Sequence, residues 1–245
     1  MRHSPNDHHF PRAHLWLLIP FAISIFGFYF TYWSRFNEVP FRQHAHGLSA
    51  TAWYVLLILQ PWLYHNKPIS YHKKAGFIAL FFAGAVVFSA LQVIPFQIVS
   101  TDAHMSSVLR YGLSFYDLGA LAGFSFSVLM AMLNSRETPK HARWMISTAF
   151  WALQPAFVRL VFFTLLIANG GNPPVEFLNV IYICLAITAF PLLIMIFLDF
   201  RKEKKVYAAY ACALLGTSIF TLLIQVFGTA QWWIDWCNNV LGKGM

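Results

Sequence analysis

Residues 75–95 read AGFIALFFAGAVVFSALQVIP, an apolar run without a charge, entered directly from Lys73 and Lys74. A helix crossing a hydrocarbon core of roughly 30 Å needs about 20 such residues. This stretch therefore has both the length and the character of a membrane span. Working outward, six more runs of the same kind appear, at residues 14–33, 47–64, 112–133, 144–168, 176–198 and 207–228. The separators carry breakers: Pro40, Pro68, Pro139, and Gly170 and Gly171 followed by Pro173. Outer-membrane barrels alternate over about ten residues per strand and show no such runs. The expected fold is all-α: a polytopic transmembrane bundle of seven spans, with residues 1–245 as a single membrane domain.

Composition agrees. Hydrophobic residues make up 58% of the 245-residue chain and charged residues only 11%, against about 25% charged in an average soluble domain. Too little charge is present to cover a water-facing surface. The net charge of +8 raises the question of nucleic acid, and the positions of the charges answer it. Arg2 and Arg12, the 65–74 loop, the 134–143 loop and the 199–206 loop hold most of the Lys and Arg, and all would lie on one side of a seven-span bundle. Excess Lys and Arg marks the cytoplasmic side. The N-terminus is expected inside and the C-terminus outside, in the inner (cytoplasmic) membrane. The basic surplus is a topology signal, and no nucleic-acid partner is expected.

Several chemistries are excluded by what the chain lacks. Cys184, Cys212 and Cys237 form no CxxC, which removes thiolate zinc sites, iron–sulfur clusters and a disulfide framework. There is no GxGxxG, GxxxxGK[ST] or GxSxG. No lysine lies within a span, so retinal-type Schiff-base chemistry is out. The first run has no small-residue cleavage motif after it and reads as a span rather than a signal peptide. The tryptophans of Gln231 to Trp236 suit an interfacial belt.

Ionisable groups inside spans are costly unless paired or facing a polar cavity, which makes them functional candidates. Asp117 and Arg159 fall at similar depth in the outer halves of consecutive antiparallel spans, so an ion pair or an anchoring site is expected there. Gln60, Gln92 and Gln154 add amides within spans, two of them followed by Pro61 and Pro155. Together these five residues outline a candidate ligand pocket, with interhelical hydrogen bonding as the structural alternative. The histidines fall into two layers. His44, His46 and His104 lie on the outer side; His65, His72 and His141 lie on the cytoplasmic side. His72 and His141 open two spans that run in the same direction. A bis-imidazole haem would fit between them, with Lys73 and Arg143 beside its propionates.

The region from His46 to about Phe163 resembles a bacterial multi-pass family, domain of unknown function 2306. The likeness rests on His46 at a helix head, a Gln60-containing helix, His72-Lys73-Lys74-Ala75-Gly76, His141-Ala142-Arg143-Trp144-Met145, and Arg159-Leu160 beyond. The arrangement is also distantly similar to di-haem b membrane cytochromes. That likeness implies one haem, held by His72 and His141; no histidine of span four stands opposite His46 for a second.

These readings give one leading expectation and two alternatives. The first is a haem b or metal-binding redox protein that exchanges electrons with quinone or with other membrane subunits. The second is an intramembrane zinc hydrolase whose metal ligands are His44, His46, His104 and Asp117. The third is a small-molecule transporter or sensor using the outer-half pocket. The orientation has a direct check. An alkaline phosphatase fused after Asn172 should be active and one fused after Lys140 inactive; the opposite pattern would invert the orientation.

Overall fold

The computed structural model describes residues 10–99 and 106–242, and among them every regular element is helical. The chain forms α1 (Ala13–Trp16), α2 (Leu18–Gly27), α3 (Phe41–Asn66), α4 (Ile69–Val99) and α5 (Ser107–Leu133). It continues through α6 (Thr138–Ala168), α7 (Phe177–Glu203), α8 (Ala208–Leu222), α9 (Ile224–Thr229) and α10 (Gln231–Trp236). Five segments are long and apolar enough to cross a membrane: α4, α5, α6, α7, and α8 with α9 taken together. Phe77, Phe81 and Phe88 share one outward face of α4, and Phe190 and Phe197 one of α7. Apolar faces exposed on this scale belong against lipid rather than water.

The other two expected spans differ. The run at 14–33 divides into α1 and α2, an apolar helical stretch that stops at Gly27. There the backbone presses on α6, where a Cβ on Gly27 would stand 2.1 Å from the Ala156 carbonyl oxygen. Beyond it the chain turns, with the N–H groups of Tyr32 and Trp33 both donating to the Phe28 carbonyl. The aromatic rings of Tyr32, Trp33 and Phe36 pack on one another, and His44 packs against Tyr32 and Phe36. Tertiary packing has overridden a continuous apolar run. The run at 47–64 lies within α3, which has 26 residues but too many polar side chains to rank with the five apolar segments.

Pro61, Pro95, Pro155 and Pro191 all lie inside helices that continue through them. Proline removes an N–H and frees a carbonyl one turn back, and neighbouring helices can meet that demand in a membrane bundle. Helices α3, α4, α5 and α6 pack in a ring, with α1 and α2 against α3 and α6. Helix α7 leans on α6 and α8, while α8 and α9 cover α5. Helices α5 and α6 thus sit at the centre.

Close packing around them depends on small residues. The Trp151 indole of α6 is slotted between Gly123 of α5 and Gly216 of α8, where a Cβ would approach its ring atoms to 2.6 and 2.2 Å. Its Nε1–H donates to the Ser127 hydroxyl at 2.9 Å. On α5, Gly112 meets the Ile224 carbonyl, and Gly228 of α9 meets the Val108 carbonyl of α5, each at 2.2 Å from an added Cβ. Without water to squeeze out between helices, such close contact is the main source of association energy. At the C-terminal end, α10 folds back so that Trp233 donates to the Tyr111 carbonyl. The neighbouring Cys237 is fully buried, and burial pushes its thiol up to about 11.

Gly216→Val would drive two methyl groups into the Trp151 ring. Overpacking of this kind costs about 1–3 kcal/mol, so the unfolding midpoint in detergent should fall, while Gly84→Val, which meets open space, should leave it nearly unchanged. Equal midpoints for the two variants would remove the slot from the account.

Candidate functional site

Three polar assemblies lie within the bundle, and they differ in how completely they close. The first is closed. Arg143, at the start of α6, is 2% exposed. Its Nε and Nη2 donate to the two carboxylate oxygens of Asp199 at 2.7 and 2.6 Å, and Nη2 also reaches Glu203 at 2.8 Å. Nη1 donates to the Pro139 carbonyl at 2.9 Å. The guanidinium lies 3.7 Å over the Tyr207 ring, and Tyr207 donates to Glu203. Arg143, expected beside a haem propionate, is therefore committed to the end of α7. Lys73 is exposed on α4.

The second assembly joins α3, α4, α5 and α6 near the same end. The His72 and His141 rings stand 6.3 Å apart between centroids and nearly perpendicular, at 77°. His141 donates Nδ1–H to the Ala131 carbonyl at 2.8 Å, which leaves its Nε2 with the lone pair. His72 differs. Assigned by its hydrogen bonds, the Gln60 amide accepts from the Gly76 N–H at 2.8 Å and donates to His72 Nδ1 at 2.6 Å and to the His72 carbonyl at 3.2 Å. His72 Nδ1 also lies 3.3 Å from the Gln60 backbone carbonyl oxygen, so the Gln60 amide favours a ring proton on Nε2 and the Gln60 carbonyl one on Nδ1. Gln60 is thus a tie between α3 and α4.

The third assembly is open. A cavity of about 340 Å³ lies in the half of the bundle away from Arg143, between α5, α6, α7 and α9. Its walls are largely aromatic and aliphatic, with Phe162, Phe163 and Phe177 among them. Into it face Asp117, Arg159, Gln154, Gln97, Thr31 and Tyr116. The expected Asp117–Arg159 contact pair does not form: both line the cavity, but no carboxylate oxygen comes within 4.0 Å of the guanidinium. Asp117 instead accepts from Gln97 Nε2 at 3.0 Å. Arg159 donates Nη1 to the Pro155 carbonyl at 2.9 Å and lies 5.0 Å over the Phe28 ring. Gln154 is held by α7, donating to the Ile181 carbonyl at 3.3 Å and accepting from Thr188 at 3.1 Å. The hydroxyls of Tyr116 and Thr31 are buried with no hydrogen-bond partner among the described residues.

Of the five pocket residues expected from sequence, Asp117, Gln154 and Arg159 come together. Gln60 lies with His72, and Gln92 is exposed on α4. Gln97, Tyr116 and Thr31 complete the cavity. Gln97 escaped the sequence reading because α4 runs on through Pro95 to Val99, a turn beyond the apolar run that defined the span. The outer histidines are separate again. His44 Nδ1 contacts the Tyr32 hydroxyl at 3.1 Å, and His46 Nδ1 contacts Ser89 Oγ at 3.2 Å. His104 lies outside the described residues. Among the described residues no three His, Cys, Asp or Glu side chains gather as a metal-holding group.

No family model, curated protein or solved structure matches the chain. What is established is a helical membrane protein with five membrane-length apolar segments and these three polar assemblies.

The closed network has a clear energetic signature. Arg143→Met would leave two buried or half-buried carboxylates without a counter-charge, a loss of about 3–5 kcal/mol. Asp199→Asn should cost less, because Glu203 keeps its hold on the guanidinium. Unfolding of both variants in detergent measures the order, and the reverse order would contradict it.

Proposed function

We propose that the protein binds a small molecule in the cavity of α5, α6, α7 and α9, as a membrane transporter or sensor does. One observation carries this reading: charged groups only partly met by the protein, and hydroxyls without a partner among the described residues, converge on a half-open cavity with largely apolar walls. Small-molecule pockets are about 300–1,000 Å³, mostly apolar, with a few convergent polar groups. The 340 Å³ cavity falls at the compact end of that range. In a seven-span arrangement with the N-terminus in the cytoplasm of the cell, the cavity lies in the outer half of the inner membrane.

Access by polar solutes tests it. In a cysteine-free background, Leu113→Cys on the cavity wall should react with a small anionic thiosulfonate, and Phe88→Cys on the lipid face should not. Equal failure at both positions would contradict a solute-accessible pocket.

A second reading has its own support. We infer that a haem b or metal ion between His72 and His141 is favoured by their spacing. Two imidazoles bound at about 2 Å to one iron bring their ring centroids to about 6 Å, close to the 6.3 Å found here. His141, with its proton on Nδ1, would hold the metal through Nε2. For His72 the Gln60 carbonyl supports the same tautomer, with the proton on Nδ1, while the Gln60 amide opposes it and would turn on binding. A reduced-minus-oxidised spectrum of protein purified after haem supplementation tests this reading. A Soret band lost in His141→Ala supports it, and a featureless spectrum removes it.

A further inference from the structure

The polar groups of the outer cavity also specify the chemistry of an occupant, provided that the cavity is a binding site as argued above. We propose that it takes a zwitterion: an oxyanion held by Arg159 and an ammonium group held by Asp117, on an apolar body.

The two arginines of the bundle interior establish the contrast. Arg143 has its donors directed at Asp199, Glu203 and the Pro139 carbonyl. Arg159 makes one hydrogen bond among the described residues, to Pro155 of its own helix. Arg159 lines the cavity, and its remaining N–H donors belong to a planar fork of the kind that takes a carboxylate or phosphate through paired bonds. The Tyr116 hydroxyl, on a residue only 2% exposed, and the Thr31 hydroxyl have no partner among the described residues and line the same space. They supply further hydrogen bonds to an oxyanion.

Asp117 answers the other charge. Gln97 donates to one carboxylate oxygen, and among the described residues no cation touches either. A carboxylate and a guanidinium that share one apolar cavity without contact attract each other across it but relieve only part of the desolvation cost each bears. A lone anion would satisfy Arg159 and leave Asp117 repelling it. A lone cation would do the reverse. A zwitterion meets both at once and keeps the cavity neutral overall. The walls, with Phe162, Phe163 and Phe177, then cover an apolar portion of the molecule.

Two sources offer this chemistry: a free α-amino acid with an apolar side chain, and the headgroup of phosphatidylethanolamine from the surrounding bilayer. The experiment separates them. Thermal unfolding of the purified full-length protein is followed in detergent with L-phenylalanine, 3-phenylpropionate or 2-phenylethylamine, and in nanodiscs of phosphatidylethanolamine or phosphatidylglycerol. A ligand that binds only the folded state raises the midpoint.

The expected result is a raised midpoint with L-phenylalanine, or with phosphatidylethanolamine over phosphatidylglycerol, and none with the acid or the amine alone. Whichever probe acts identifies the source. Its apparent affinity should fall at least about tenfold in both Asp117→Asn and Arg159→Gln, since each loses a charged hydrogen bond. Tyr116→Phe, which removes only a hydroxyl, gives a smaller fall and serves as a folded control should either charge variant fail to fold. Stabilisation by 3-phenylpropionate equal to that by L-phenylalanine, unchanged in Asp117→Asn, overturns the zwitterion and leaves the pocket standing. If no probe acts and Leu113→Cys is also inert to thiosulfonate, the pocket falls with it.

Discussion

A charge inside an apolar helical bundle must be met by something, and that constraint shapes this protein more than any other. Asp or Arg at the centre of a membrane helix costs about 2.5–3.5 kcal/mol even by lenient scales. Arg143 meets the constraint within the chain, through two carboxylates at the end of α7 and an aromatic ring beneath them. The result ties α6 to α7 and meets the guanidinium's charge within the chain. Arg159 lies on the same helix and is not closed in this way. Its natural partner, Asp117, faces the same cavity without touching it. The difference between a filled and an unfilled coordination sphere is what sets Arg159 apart from Arg143.

The packing explains why space remains at one level and not at another. Around Trp151, glycines on α5 and α8 let three helices close on a single indole. Further along α6, Pro155 lines the cavity. On the facing side α8 gives way to α9 at Leu223, and Ile224 immediately after that break also lines it. Two local departures from regular helix thus border the open space. Gln154 is positioned there by α7 through the Ile181 carbonyl and Thr188, so a side chain adjacent to the proline is fixed rather than loose.

Much of this was legible in the sequence, for reasons that are physical. Apolar runs of membrane length reveal α4 to α7 because the bilayer dictates both composition and length. Asp117 and Arg159 stand out because charge is so rare in the chain. His72 and His141 meet, as equal depth on two parallel-running helices suggests. Other features depend on contacts that no local pattern encodes. The partners of Arg143 lie 56 and 60 positions away, at the polar end of α7 where acidic residues look like ordinary solvated ones. Gln97 sits beyond a proline that seemed to end its span. The first apolar run is as hydrophobic as the others, yet it stops at Gly27 because the backbone there is pressed against α6.

Native mass spectrometry of the protein as extracted from its membrane tests the central claim most directly, since it shows whether Arg159 holds an occupant that the chain itself does not provide. A small-molecule or single-lipid adduct is expected on the wild-type protein, lost in Arg159→Gln and weakened in Arg159→Lys, which keeps the charge but not the paired donors. Identical spectra for wild type and Arg159→Gln, with the same adducts or none on both, would contradict it.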